Sequence, residues 1–195
     1  MYLSLWEMWL INKTGVVFMF GRIQKVDNRV LERIGNIQKP ALNKIMITFS
    51  RAGNLGIVWW AICAIFLLRP DWCSTGVCMI VALTVSHIMG EVVIKHLVKR
   101  VRPCHRLADD EQLINRPRFY SFPSGHTTAS FAAVGVALLK CTALSFVPIL
   151  LLAVSIGFSR VYLRVHYLTD VIAGALLGFI CGILTVIIAG AVIPV

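Results

Sequence analysis

Long apolar runs separated by short polar breaks set the layout of this chain. Clear runs cover Asn54–Leu68, Thr75–Val98, Ser124–Leu139, Ala143–Phe158 and Val171–Ile193. Each is long enough, or nearly so, for a helix crossing the hydrocarbon of a bilayer. Upstream the pattern changes. Val26, Val30, Leu31, Ile34 and Ile37 recur at helical spacing with Lys25, Arg29 and Arg33 between them, which predicts an amphipathic helix. Pro40 breaks that helix, and Ala41–Ser50 resumes the period. Residues 1–20 carry aromatic patches around Trp6, Trp9 and Phe18–Phe20 but are interrupted by Glu7, Asn12, Lys13 and Gly15. They predict an interfacial segment, with no basic n-region or small-residue cleavage site of a leader. The expected fold is all-α: a polytopic membrane bundle of five spans, six if residues 1–20 insert. The chain, 1–195, is expected to form one domain, with interfacial helices over 1–51 and a transmembrane bundle over 52–195.

Composition supports the membrane assignment. The chain is 58% hydrophobic and 14% charged, with a mean hydropathy of +0.80, far from the charge content of soluble domains. A net charge of +10 ordinarily raises nucleic acid as a partner. Here the basic residues sit at the ends of apolar runs, where they meet headgroups or a phosphorylated ligand, so no nucleic acid is expected. The six cysteines form no CxxC and lie mostly in or beside apolar runs. They read as small core residues, with Cys104, in a polar connection, the one candidate reactive thiol. The five histidines form no HExxH and no close ligand pair, so neither a metal nor another cofactor is expected.

Three polar clusters interrupt this apolar background. The first is Lys95 through Arg102-Pro103, with the two cations seven residues apart, two helical turns, on one expected helix face. The second is Pro123-Ser124-Gly125-His126, where proline, serine and glycine at a helix start leave backbone N–H groups for an anion. The third is Ser159–Asp170, which places Arg160, His166 and Asp170 beside an apolar run. His166 and Asp170, four apart, share a face of a helix, where the carboxylate orients the imidazole and supports its cation. Each cluster also has a plainer reading: a headgroup-binding basic patch, a helix cap beside a chance histidine, and an interfacial helix end with snorkelling arginines. Counting spans brings all three to one side of the membrane.

In order and spacing the set resembles the type 2 phosphatidic acid phosphatase (PAP2) superfamily, whose pattern is KxxxxxxRP, then PSGH, then SRxxxxxHxxxD. No signature position departs from it. The resemblance implies a lipid phosphatase working through a phosphohistidine. His166 is then the nucleophile, Asp170 its partner, and His126 the acid that protonates the leaving oxygen and later activates water. Lys95, Arg102, Ser124, Gly125 and Arg160 hold the phosphate, with Ser159 a secondary candidate. These fixed cations take the role a divalent metal has elsewhere. The implied partner is a phosphorylated lipid in the bilayer. By family analogy undecaprenyl diphosphate comes first, and a broad phosphatase of phosphatidic acid or phosphatidylglycerol phosphate second. A small transporter or proton relay is the reading from another class, and a vanadate haloperoxidase, which shares the pocket in the wider superfamily, is disfavoured by the spans. The sequence sets no oligomeric state.

The remaining polar residues are read as supporting groups. His87 and Glu91 form a buried pair or tune Lys95. His96 and His105 are loop or headgroup contacts. Tyr162, Arg164 and Tyr167 are interfacial anchors, and Asp109, Asp110 and Glu111 form a solvated patch. Counting basic residues puts the catalytic side in the cytoplasm. Three of them, however, are engaged by phosphate, and bacterial members of the family commonly face outward, so an extracytoplasmic site is expected.

Overall fold

The computed structural model describes residues 16–108 and 112–192. The readings made for Trp6, Trp9 and Asp109–Glu111 lie outside the described residues. Every described element is helical: α1 (Val16–Ile37), α2 (Pro40–Ala52), α3 (Ile57–Leu67), α4 (Cys73–His87), the short α5 (Lys95–Val98), α6 (Gly125–Lys140), α7 (Ala143–Tyr162) and α8 (Leu168–Val192). Three helical runs among the described residues are long and apolar enough to cross a membrane: Pro70–Arg106, Ala143–Tyr162 and Leu168–Ala191. A fourth candidate is a bent pair, Pro40–Ala52 with Asn54–Leu67, whose halves meet at 51°. The apolar run expected as the first span is the second half of this bent pair, and α2 is its first half. Leu55 at φ 52° and Gly56 at φ 69° make the break. α6, with 16 residues, is shorter than a full crossing.

α6 is the central helix, packed against α4, α7 and α8. Its run from Ala132 to Ala137 is wholly buried, which the sequence permits because the residues are mostly alanine, glycine and valine. Lipid offers no hydrophobic drive for helices to associate, so close backbone approach must supply the packing. Added side chains measure how close it is. A Cβ at Gly135 would lie 2.6 Å from the Phe179 carbonyl, and one at Gly174 would lie 2.7 Å from the Ser124 carbonyl. The large apolar residues Leu151, Leu176, Ile180 and Ile187 point outward, as they must where the solvent is acyl chain.

The core has two parts. One, around Trp59, Met79, Leu83, Val136 and Ile156, lies within the spans. The other packs Leu31, Ile34 and Met46 of α1 and α2 against Val161, Tyr162, Val165 and Tyr167. This second core corrects two expectations. Tyr162 and Tyr167 are not interfacial anchors but fully buried. The Tyr162 hydroxyl donates to Asn43 Oδ1 at 2.6 Å. The buried stripe of α1 is also shifted from the predicted one. Val26 and Ile37 are exposed, and the inward residues are Asp27, Leu31 and Ile34, at i, i+4 and i+7.

Candidate active site

A cavity of about 510 Å³ is lined by Lys95, Arg102, Gly125, His126, Arg160 and His166, with Glu91 and His87 beside them. Its remaining wall includes Leu55, Trp60, Leu83 and Ala129. All three polar clusters thus contribute to one space. Ser124 and Asp170 are buried just behind it.

The second cluster opens the regular helix α6, but the first and third do not arrive on uninterrupted α-helix. The second span changes to a π-helix over Ile88–Ile94 before α5 carries Lys95. A π turn shifts the helical register of the residues after it, and such turns recur at functional sites. α5 ends at Val98, where Lys99 adopts the left-handed conformation at φ 51°. Arg102 comes next in extended backbone, φ −71° and ψ 148°. Lys95 and Arg102 therefore do not share a helix face, as their spacing suggested; a reversal of the chain folds them to the same cavity. Arg102 is 5% exposed. Its Nε donates to the Phe119 carbonyl at 2.5 Å and its Nη1 to the Val165 carbonyl at 3.0 Å.

The third cluster is also reordered. α7 ends at Tyr162 and α8 begins at Leu168. Between them the Val165 and His166 N–H groups both donate to the Arg160 carbonyl, at 3.2 Å each, and Arg164 stands at φ 56°. His166 thus lies in a tight turn, whereas Asp170 lies in the first turn of α8. Asp170 Oδ2 accepts the Tyr167 N–H at 2.9 Å, the backward half of a capping box.

His166 is 1% exposed. Its Nδ1 is 2.8 Å from the Ser121 carbonyl, and its Nε2 is 2.8 Å from Arg102 Nη1. A carbonyl only accepts and a guanidinium only donates. The ring is therefore neutral with its proton on Nδ1, and Nε2 holds a lone pair directed at the cavity's cations. Asp170 Oδ2 is 3.6 Å from Nδ1, beyond hydrogen-bond reach. The tautomer is fixed by a backbone carbonyl, and the carboxylate acts as a nearby charge. Burial, then Arg102, Arg160 and Lys95, hold the His166 pKa well below the ordinary imidazole value.

Around Nε2 the donors are incompletely satisfied. Arg160, 4% exposed, gives one Nη1 bond to Ser50 of α2, while its buried Nε–H has no hydrogen-bond partner. Lys95, 3% exposed, pairs with Glu91. Glu91 is therefore the partner of Lys95 and not of His87, which is exposed. The Glu91 carboxyl also abuts Gly125, where an added Cβ would collide with it. At the start of α6 the Ser124 N–H is already given to the Asp170 carbonyl at 3.0 Å, and Ser124 Oγ accepts from Thr127 at 3.0 Å. Ser124 is not among the residues lining the cavity. His126 Nε2 lies 2.9 Å from Asn54 Oδ1, at the break between the halves of the bent pair. Ser159 Oγ is committed to the Ile156 carbonyl at 2.7 Å. Cys104, the candidate reactive thiol, is 0% exposed. Among the described residues no group of three or more His, Cys, Asp or Glu side chains is placed to hold a metal ion.

Four contributors were not anticipated: Ser121, Asn54, Arg100 and Asp27. Arg100 Nη1 donates to Asp170 Oδ1 at 2.6 Å, and its Nη2 donates to Asp27 Oδ2 at 2.6 Å. The available signal for Asp27 was its register with Leu31 and Ile34, which makes it the one charge on a buried stripe.

The sequence model described as PAP2 superfamily matches residues 71–193. An undecaprenyl-diphosphatase of Sulfolobus acidocaldarius is 33% identical over 72% of this chain and 68% of its own length. A phosphatidylglycerophosphatase B of Bacillus subtilis is 28% identical over 81% and 80%. Among solved structures, LpxE of Aquifex aeolicus superimposes with a TM-score of 0.72 at 26% identity, covering 81% of this chain and 93% of that one. A transmembrane PAP2-type phosphatidylglycerolphosphate phosphatase from Bacillus subtilis gives 0.69 at 25% identity, covering 89% of each. The chain belongs to the PAP2 superfamily. It is an enzyme of the membrane phosphatase class, a hydrolase of lipid phosphates.

Proposed function

We propose that the chain hydrolyses undecaprenyl diphosphate to undecaprenyl phosphate and orthophosphate through a phosphohistidine on His166. The observation that carries this reading is the Nε2 lone pair of a neutral, tautomer-fixed His166, held against Arg102 in a cavity that also presents Lys95 and the unpartnered Nε–H of Arg160. Anionic oxygens replace His166 as the acceptor for Arg102, which frees the lone pair as substrate binds.

In the first step Nε2 forms a bond to the terminal phosphorus. The P–O bond to the lipid monophosphate breaks with its electron pair on oxygen, and His126, which takes up a proton once the substrate's anionic oxygens offset Arg160, Arg102 and Lys95, gives that oxygen its proton. Asn54 holds Nε2–H of His126, so proton exchange falls to Nδ1. In the second step water attacks phosphorus, neutral His126 takes its proton, and the N–P pair returns to His166. Lys95, Arg102, Arg160 and the Gly125 N–H hold the oxygens on which charge accumulates. Asp170 supports the positive charge the ring acquires. The apolar wall of Leu55, Trp60 and Leu83 suits a prenyl tail entering from lipid. The similarity to an archaeal undecaprenyl-diphosphatase favours this substrate. The similarity to phosphatidylglycerophosphatase B supports phosphatidylglycerol phosphate as the second reading. The site is assigned to the extracytoplasmic face, as for bacterial members of the family.

The test is phosphate release in detergent, with chelator present, from undecaprenyl diphosphate, phosphatidic acid and phosphatidylglycerol phosphate. Undecaprenyl diphosphate is expected to give the highest kcat/KM, and His166→Ala to abolish turnover of all three. Full activity of that variant, or dependence on added divalent metal, rejects the mechanism. A higher kcat/KM for phosphatidylglycerol phosphate rejects the substrate alone.

A further inference from the structure

The N-terminal helix brings a buried charge to the back of the nucleophile. Asp27 is 0% exposed, and both its oxygens are engaged. Oδ2 accepts Arg100 Nη2 at 2.6 Å and Thr169 Oγ1 at 2.5 Å, and Oδ1 accepts the Thr169 N–H at 3.1 Å. Arg100 is fixed from several directions. It reaches Asp170 Oδ1 at 2.6 Å, Thr169 Oγ1 at 2.8 Å and Gln24 Oε1 at 2.9 Å, and it stacks 3.9 Å from the centre of the Tyr167 ring. Resting on the phosphohistidine reading above, we propose that Asp27 is a positioning residue for catalysis. Through Arg100 it sets the charge and orientation of the Asp170 carboxylate behind His166. Asp27 lies outside residues 71–193, the part that matches the family, so the catalytic assembly extends into α1.

The argument is one of charge. Asp170 faced by Arg100 alone forms a neutral pair, and a neutral pair gives little support to an imidazole that becomes positive on taking phosphorus. The second carboxylate returns the group to a net charge of about −1, by two anions against one cation. It also holds the guanidinium so that Oδ1 of Asp170 is taken and Oδ2 is left for the Tyr167 N–H and the His166 ring, 3.6 Å away. Stability gives a weaker reason to bury such charges, because a desolvated ion pair is often no better than an apolar replacement. An amphipathic helix with leucine and isoleucine on the same stripe had such a replacement at hand.

The experiment measures phosphate release from undecaprenyl diphosphate by the full chain in detergent. The variants are Asp27→Asn, Asp170→Asn, both together, and Asp27→Asn with Gln24→Glu. Members of one salt-bridge network couple strongly, so Asp27→Asn is expected to lower kcat about ten-fold while KM moves less than about three-fold. In the Asp170→Asn background the same change costs no more than about two-fold. Gln24→Glu, which sets a carboxylate on the other side of Arg100 Nη2, recovers kcat to within about three-fold of wild type. If α1 merely docks onto the bundle, Asp27→Asn costs the same in both backgrounds and Gln24→Glu restores nothing. Either result overturns the proposal, as does undiminished kcat of Asp27→Asn beside an impaired Asp170→Asn. Loss of effect for Asp170→Asn and His166→Ala alike is the failure of the phosphohistidine reading itself. Should Asp27→Asn not accumulate, the Asp27→Asn, Gln24→Glu double variant is decisive alone. Near wild-type kcat supports the proposal and a ten-fold deficit rejects it.

Discussion

Asp170→Asn isolates the charge behind the proposed nucleophile while preserving its shape. The carboxylate lies 3.6 Å from Nδ1 of His166. At an effective dielectric of about 20, a unit charge at that distance stabilises a full positive charge on the ring by about 5 kcal/mol. Arg100, 2.6 Å from the other oxygen and itself countered by Asp27, opposes this in part and leaves about 2–3 kcal/mol for the transition state, or about a hundred-fold in rate. The tautomer should survive, because the Ser121 carbonyl and not Asp170 receives the Nδ1 proton at 2.8 Å. Binding should also survive, since Asp170 does not line the cavity. The expected result is a hundred-fold lower kcat with KM within about three-fold, and a matching fall in the rate at which phosphorylated His166 forms in a rapid-quench experiment. The variant must be shown folded, because it also removes one of the two anions that neutralise Arg100. A folded Asp170→Asn enzyme with kcat within about three-fold of wild type would falsify the electrostatic account. An equal rise in KM would instead place Asp170 in phosphate binding.

Glu91 shares Lys95 and the start of α6 with the incoming phosphate. Glu91→Gln is expected to tighten inhibition by orthophosphate about five-fold, by relieving about 1 kcal/mol of like-charge repulsion; weaker inhibition means that Glu91 serves to hold Lys95 in place. Asn54→Ala removes the acceptor for His126 Nε2 and is expected to lower kcat on a lipid substrate about ten-fold. The loss should shrink on p-nitrophenyl phosphate, whose leaving group needs little protonation, and an equal loss on both substrates refutes the assignment. The depressed pKa of His166 fixes the direction of a pH effect. The unfolded chain takes up a proton near pH 6.5 that the folded chain refuses, so this contribution to stability is present above that pH and is lost as pH falls below it. The melting temperature in detergent should fall more between about pH 7.5 and pH 5 for wild type than for His166→Gln, and parallel falls contradict the buried neutral imidazole.

The helical class, the membrane assignment and the residues around the cavity were legible because apolar runs and a spaced signature survive in a one-dimensional reading. The routes by which those residues arrive were not. Spacing placed Lys95 with Arg102, and His166 with Asp170, on ideal helix faces. The chain instead inserts a π turn before Lys95, a left-handed residue at Lys99 and a tight turn before α8. Periodicity assumes regular backbone, and it fails where regular backbone stops. Asp27 was missed for a related reason: hydropathy assigns a carboxylate to the polar face, and only its partner Arg100, 73 residues away in sequence, makes burial tolerable.

These irregularities share one physical origin. A straight helix through hydrocarbon satisfies its own backbone and leaves no N–H or C=O for a ligand or a charged side chain. A phosphatase site at the membrane surface needs such groups, so it has to be built where helices end or distort. The Ser121, Phe119 and Val165 carbonyls that hold His166 and Arg102 all lie in non-helical segments. The Arg160 carbonyl, at the end of α7, is free to bind the turn that carries His166. Asn54, which holds His126, sits at the break of the bent helix pair. Irregular backbone of this kind is stable at membrane depth only when protein covers it. Leu31, Ile34 and Met46 of the N-terminal helices provide that cover through the second core. The amphipathic N-terminus is accordingly required by the site's construction, since without α1 and α2 the turn bearing His166 would present unpaired backbone and a buried Arg100–Asp170 pair to lipid or water.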